Sequence, residues 1–247
     1  MKINVYIRIG LCIIATILLS ESNANAELHG TLTGTTNYIW RMYSKSNGDP
    51  AIQANLDYQH KSGFYVGSSV SSFNPGPSEE VTSLWFSDQA RAEITPYIGW
   101  SFEVNDDWRF DLQYSRYLYT GKFYEFSGDY NEIYLFLHYK DLLTMQASAT
   151  DDFYGMGDKA FFYEITGRYP ITDYLEMSAL FGYAQTSPVT TADYPYWNGG
   201  LTARYRFLAF DLRYHDAREL YQNDRLQSPN HPITIGATVV FSISAGF

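Results

Sequence analysis

Pro232-Ile-Thr-Ile-Gly-Ala-Thr-Val-Val-Phe-Ser-Ile-Ser-Ala-Gly-Phe247 ends the chain with an alternation that decides its fold. Counting back from the last residue, Ala245, Ile243, Phe241, Val239, Ala237, Ile235 and Ile233 are apolar. The intervening Gly246, Ser244, Ser242, Thr238, Gly236 and Thr234 are small or polar, and only Val240 breaks the pattern. A period of two is a β-strand with one apolar and one polar face.

The other end of the chain says where that strand works. Lys2 and Arg8 precede an apolar run over residues 9–19, and Ala24-Asn25-Ala26 follows as a small-x-small cleavage site. This arrangement reads as a secretory signal peptide over residues 1–26. The apolar run is shorter than the ~20 residues a bilayer-spanning helix needs. Cys12, the only cysteine, lies inside it behind Leu11, so neither a lipid anchor nor a disulfide is expected. The mature chain, residues 27–247, forms one domain in this reading.

The formal charge is −10 for the whole chain and becomes more negative once the signal is removed. That balance carries no basic footprint for nucleic acid. With 23 tyrosines, 16 phenylalanines and 5 tryptophans the chain is 18% aromatic. High aromatic content without a long apolar run suits a transmembrane barrel, in which only alternate residues meet lipid. A secreted soluble β-sandwich is the competing fold.

The mature chain parses into about twelve strands, over residues 28–40, 52–59, 64–71, 90–103, 108–115, 132–140, 143–150, 161–169, 175–183, 197–207, 210–215 and the closing stretch. In the fourth, Ala90, Ala92, Ile94, Pro96, Ile98, Trp100 and Phe102 face one way, against Arg91, Glu93, Thr95, Tyr97, Ser101 and Glu103. Pro96 cannot donate to a ladder and reads as a bulge. Tight links alternate with long ones, so short periplasmic turns and longer extracellular loops are expected around an up-and-down antiparallel barrel. An even strand count puts both termini in the periplasm. Aromatics cluster at the expected rims: Tyr38, Trp40, Trp85, Tyr114, Tyr183, Tyr194, Tyr196, Trp197 and Tyr214 outside, and Phe64, Phe102, Trp108, Tyr139, Tyr169 and Phe247 on the periplasmic side.

Asp49-Pro50-Ala51-Ile52-Gln53-Ala54-Asn55-Leu56-Asp57-Tyr58 and Ser62-Gly63-Phe64-Tyr65-Val66-Gly67 resemble the TorF-type putative porin family of Gram-negative bacteria. Ala92-Glu93-Ile94-Thr95-Pro96-Tyr97-Ile98-Gly99, Asp211-Leu212-Arg213-Tyr214-His215-Asp216 and Val240-Phe241-Ser242-Ile243-Ser244 extend the resemblance along the mature chain. That family often ends its first strand on aromatic–arginine–glycine, where this chain has Trp40-Arg41-Met42. The resemblance implies an outer-membrane porin. Phe247 likewise resembles the terminal aromatic that the outer-membrane assembly machinery recognises.

If the polar faces point inward, Arg91, Glu93, Arg109, Asp111, Glu164, Arg168, Arg204, Arg206, Asp211 and Arg213 are the candidate pore-lining residues. Walls of charge select ions in pores, although the same charges could simply neutralise one another across strands. The loops are acidic, through Asp49, Glu79, Glu80, Asp88, Glu125, Asp129, Glu219, Asp224 and others, without calcium-loop spacing. A serine–histidine hydrolase at the lipid face needs partners that His29, His60, His138, His215 and His231 do not find in sequence. The sequence therefore points to a non-enzymatic outer-membrane channel for small hydrophilic solutes or ions, with no cofactor or metal. Its expected partners are outer-membrane lipid, lipopolysaccharide and the assembly machinery. A closed structural or adhesive barrel acting through its acidic loops is the alternative, and an outer-membrane lipid hydrolase the remote one.

Overall fold

The computed structural model describes residues 26–74, 90–122, 127–190, 192–217 and 236–247. Residues 1–25 of the expected signal peptide over residues 1–26, Trp85, His231, Ile233, Ile235 and the loop acids Glu79, Glu80, Asp88, Glu125, Glu219 and Asp224 lie outside the described residues.

Alternation becomes architecture through hydrogen bonding. The strands are β1 (Ala26–Thr35), β2 (Ile39–Trp40), β3 (Tyr43–Ser44), β4 (Ala51–His60), β5 (Phe64–Ser72), β6 (Ala92–Glu103) and β7 (Trp108–Tyr119). They continue with β8 (Tyr130–Tyr139), β9 (Leu143–Thr150), β10 (Ala160–Thr172), β11 (Leu175–Gln185), β12 (Tyr194–Tyr205), β13 (Leu208–Asp216) and β14 (Thr238–Gly246). All except β2 and β3 join one closed barrel of neighbouring antiparallel strands, from β4 to β14 with β1 sealing the ring. Closure removes every sheet edge, which a lipid-exposed sheet must do because hydrocarbon cannot satisfy free backbone groups.

The seal uses the last residue. β1 pairs with β14 from Thr31↔Gly246 to Thr35↔Ser242. Beyond that ladder, the Gly30 N–H donates to the Phe247 carbonyl at 2.9 Å and the Phe247 N–H to the Gly30 carbonyl at 3.0 Å. The phenyl ring lies against Gly30, where an added Cβ would stand 2.1 Å from the ring. The glycine gives the terminal ring its seat.

The apolar faces read from sequence point outward. Leu32, Ile52, Trp100, Phe181 and Leu212 are all more than half exposed, within a continuous series of exposed apolar side chains around the ring. So much uncovered apolar surface needs a nonaqueous environment. At the short-turn end Trp108 packs on Tyr139 with ring centroids 4.9 Å apart, and Phe102 on Phe110 at 5.2 Å. At the long-loop end Trp197 packs on Tyr214 at 5.2 Å.

Three expectations fail at particular residues. The first strand stops at Thr35 instead of running to Trp40, and Tyr38 and Trp40 turn inward with the chain that follows. Tyr194 and Tyr196 are buried, because their even positions on β12 face the interior while Trp197 faces out. Pro96 marks no bulge. β6 keeps one register with β7 on both sides of it, Ile94↔Leu118 and Tyr97↔Ser115, and the missing donor only interrupts the ladder between them.

Candidate functional site

A twelve-stranded wall encloses more space than its own side chains fill, since about eight strands make a filled barrel and about 16 an open one. The chain after β1 occupies that space. The Thr35 hydroxyl donates to the Asn37 carbonyl at 3.0 Å, and Asn37 Oδ1 accepts from Ser44 Oγ at 2.6 Å. The Tyr38 N–H donates to Ser46 Oγ at 2.9 Å, and the Lys45 N–H to the Tyr38 carbonyl at 2.7 Å. These local bonds tie residues 37–46 into a small hairpin, β2 with β3, paired Ile39↔Ser44 and Trp40↔Tyr43.

Arg41 and Met42 form its two-residue turn, with φ of +48° and +69°. A hairpin turn with both central residues left-handed normally takes asparagine and glycine. Such backbone persists only where surrounding contacts over-determine it, and here they do. Met42, Tyr43, Lys45 and Ser46 are each 2% exposed.

Two ion pairs pin the hairpin to the wall. Arg41 Nη2 donates to Glu132 Oε1 on β8 at 2.6 Å and to Ser148 Oγ on β9 at 2.9 Å. Its guanidinium carbon lies 3.5 Å from the Phe162 ring centroid and 4.1 Å from that of Trp40. Lys45 Nζ donates to Glu93 Oε2 on β6 at 2.5 Å, 4.2 Å from the Trp40 ring centroid. The hydroxyls of Tyr38 and Tyr119 complete the Glu93 carboxylate at 2.9 and 2.8 Å. Burial pushes the Lys45 ammonium below its ordinary value, with Glu93 acting in the opposite direction. Removing one member of a buried pair typically costs about 3–5 kcal/mol, because the other charge is left uncompensated.

Aromatic packing completes the plug. A turn in the loop between β9 and β10 drives Phe153 and Tyr154 into the lumen, both at most 1% exposed. They meet Trp40, Tyr117, Tyr119, Tyr130 and Phe162 in a core like that of a water-soluble domain, enclosed by the barrel wall. Tyr117 stacks on Tyr130 with centroids 4.5 Å apart. The Tyr194 hydroxyl donates to the Arg41 carbonyl at 3.0 Å.

The plug is incomplete. Its ion pairs fall on β6, β8 and β10 and the Tyr43 ring packs on Tyr194 of β12, yet two cavities remain beside it. One, of 230 Å³, is lined by Trp40, Arg41, Gln146, Glu164, Asn198 and His215 among others. The second, of 220 Å³, runs past Asn37, Gln53, Asp211, Arg213 and Ser242. Ile39 and His215 border both.

The half of the lumen nearer the short turns is different. A 380 Å³ recess there is lined by Asp57, Tyr65, Tyr97, Arg109, Asp111 and His138. Charges along the inward faces sit in local pairs. Arg213 Nη2 donates to Asp211 at 2.9 Å, Arg204 Nη1 to Glu176 at 3.4 Å, and Arg109 Nε lies 3.5 Å from Asp111. A relay crosses four strands: Arg168 donates to Thr144 Oγ1 at 2.9 Å, which meets His138 Nδ1 at 3.0 Å, and His138 Nε2 meets Asp111 at 3.1 Å.

The sequence-derived candidates thus separate into groups. Glu93 and Glu164 face the plug, the former bound to Lys45 and the latter accepting from the Tyr196 hydroxyl. Arg109, Asp111, Arg168 and Arg204 face the less filled half, while Asp211 and Arg213 line the 220 Å³ cavity beside the hairpin. Arg91 precedes β6 and is exposed at the long-loop end. Arg206 lies in the β12–β13 turn with φ +55° and its guanidinium 5.4 Å from the Tyr205 ring centroid. Sequence reading missed Arg41 and Lys45, the two cations that hold the plug.

A family model for a bacterial protein of unknown function, Gcw_chp, matches residues 20–247. The chain belongs to the Gcw_chp family. No curated protein matches it. Among solved structures, this Gcw_chp barrel is similar to a KdgM porin in complex with disordered oligogalacturonate, at TM-score 0.52 and 8% identity, covering 90% of this chain and 98% of that one. It is similar to the NanC porin at TM-score 0.52 and 9% identity, covering 88% and 98%. At such identities the likeness is one of fold: a closed twelve-stranded antiparallel barrel of porin type.

Proposed function

We propose that this barrel is an outer-membrane channel for passive diffusion of small hydrophilic solutes, of the TorF porin type, narrowed by its own first loop. The single observation that carries the reading is the incomplete plug. The hairpin is fastened to the wall through Arg41 and Lys45, yet cavities of 230 and 220 Å³, both bordered by Ile39 and His215, remain beside it. An exposed apolar exterior with a polar, partly open interior is the division of faces a membrane channel needs. The solutes of KdgM-like porins belong to those proteins, and the fold likeness carries none of them over.

Purified protein in planar bilayers tests the reading. Small, discrete conductance steps are expected, and excising residues 37–46 should enlarge them. If neither protein conducts, the barrel is closed and acts through its surface.

A further inference from the structure

Arg41 enters the lumen with more donors than the wall uses. Its side chain is 2% exposed, and its Nη2 serves Glu132 and Ser148, yet Nε and Nη1 have no hydrogen-bond partner. Arg41 borders the 230 Å³ cavity. Burying unpaired donors of a charged group is costly, so such an edge beside a cavity points to an acceptor that comes and goes.

Charge decides which acceptor. Glu132 already pairs with the guanidinium at 2.6 Å, and Glu164 Oε1 lies 3.9 Å from Arg41 Nε. An anion placed at the free edge would put a third negative group around one positive one, away from bulk water. A cation would face the guanidinium itself. A neutral oxygen can accept from Arg41 without either penalty.

The opposite lining asks for donors as well. Glu164 takes the Tyr196 hydroxyl on one oxygen. Gln146 and His215 border the cavity and supply both donor and acceptor capacity, and the rings of Trp40, Tyr134 and Tyr196 offer flat apolar surface. We infer that the cavity at Arg41 is a binding subsite for a neutral polyhydroxyl solute, a small sugar or polyol. One hydroxyl accepts from Arg41 while a neighbouring hydroxyl donates to Glu164, and C–H groups pack on the rings. The 230 Å³ cavity limits the occupant to a small molecule. The inference rests on the channel reading for how solute arrives, but binding at equilibrium does not.

Isothermal titration of the detergent-folded protein with xylose tests it, alongside lactate and ethanolammonium as an anion and a cation of small size. Saturable xylose binding is expected, at least tenfold tighter than either charged probe. Glu164→Gln keeps an acceptor for Tyr196 but removes the carboxylate, and should weaken xylose at least fivefold. Gln146→Leu should abolish detectable binding. Unchanged heat-modifiable gel mobility in both variants would show that the barrel still forms. Equal or tighter binding of either ion overturns the inference, as does xylose affinity unaffected by both substitutions. Xylose binding without conductance would sink the channel reading alone, and conductance without xylose binding would sink this subsite alone.

Discussion

The two halves of this lumen are built by different rules. Toward the long loops, a hairpin and an aromatic turn fill the barrel with side chains of 0–2% exposure, including the charged Lys45 and Glu132. Toward the short turns, ionic groups line a recess and remain partly exposed, as with Arg204 at 53% and Arg109 at 49% of their side chains. Both halves hold carboxylate–cation pairs, but the surroundings change what those pairs do. In the filled half a pair has no water to fall back on, so its geometry fixes where the hairpin sits. In the open half solvent screens the same chemistry, and the pairs set local potential more than stability.

The largest test of this contrast removes the filler. Replacing residues 37–46 by a short glycine–serine linker should raise single-channel conductance several-fold and expose the aromatic core, lowering the temperature at which the folded gel mobility is lost. An unchanged conductance would mean that the hairpin does not limit the passage.

Glu132→Ala should come next. It leaves the buried Arg41 guanidinium without its 2.6 Å partner and should destabilise the docked hairpin by about 3–5 kcal/mol. Limited proteolysis at residues 37–49 reads the released state. Protection equal to the parent would show that Phe162 and Trp40 hold Arg41 unaided.

A pH series sharpens the comparison further. Lys45 titrates below its ordinary 10.5 in the docked hairpin because it is buried. The released hairpin therefore binds more protons between the docked value and 10.5, and docking strengthens as pH rises through that window. Tyr38 and Tyr43 shift the other way, raised above 10.0 chiefly by burial. Above about pH 10 they ionise first in the released state, and docking weakens. Proteolytic protection of the hairpin should thus peak near pH 10. A steady decline from pH 7 would contradict the burial of Lys45.

The smallest effect belongs to the open half. Arg204→Ala deletes a pair with Glu176 at 3.4 Å whose arginine is half exposed, and should change stability by about 0–1 kcal/mol. A loss as large as that from Glu132→Ala would show that the open half is no more hydrated than the plug.

Legibility in sequence follows the same division. Strand faces were readable because an outward residue and an inward residue meet different media at every step, as in Phe241-Ser242-Ile243-Ser244. The charged inward positions Arg109, Asp111, Arg168, Arg204, Asp211 and Arg213 carried that parity too. The plug had no such record. Trp40-Arg41-Met42-Tyr43 lacks the asparagine–glycine pair that usually marks a left-handed hairpin turn, and its apolar residues prolonged the alternation of β1 past its true end. Tyr194 and Tyr196 looked like rim aromatics, yet parity alone had already turned them inward.

Alternation along the chain, then, determined the barrel: which residues meet lipid, where the tight turns fall, and that the last strand must find the first. Those are local consequences of a pleated backbone between two media, repeated every second residue. What fills the barrel was decided by the tertiary structure alone. Lys45 meets Glu93 48 positions away, Arg41 meets Glu132 91 positions away, and the Tyr194 hydroxyl reaches the Arg41 carbonyl 153 positions away. No periodicity encodes a contact that exists only once the ring has closed and brought β6, β8 and β12 around the same few residues.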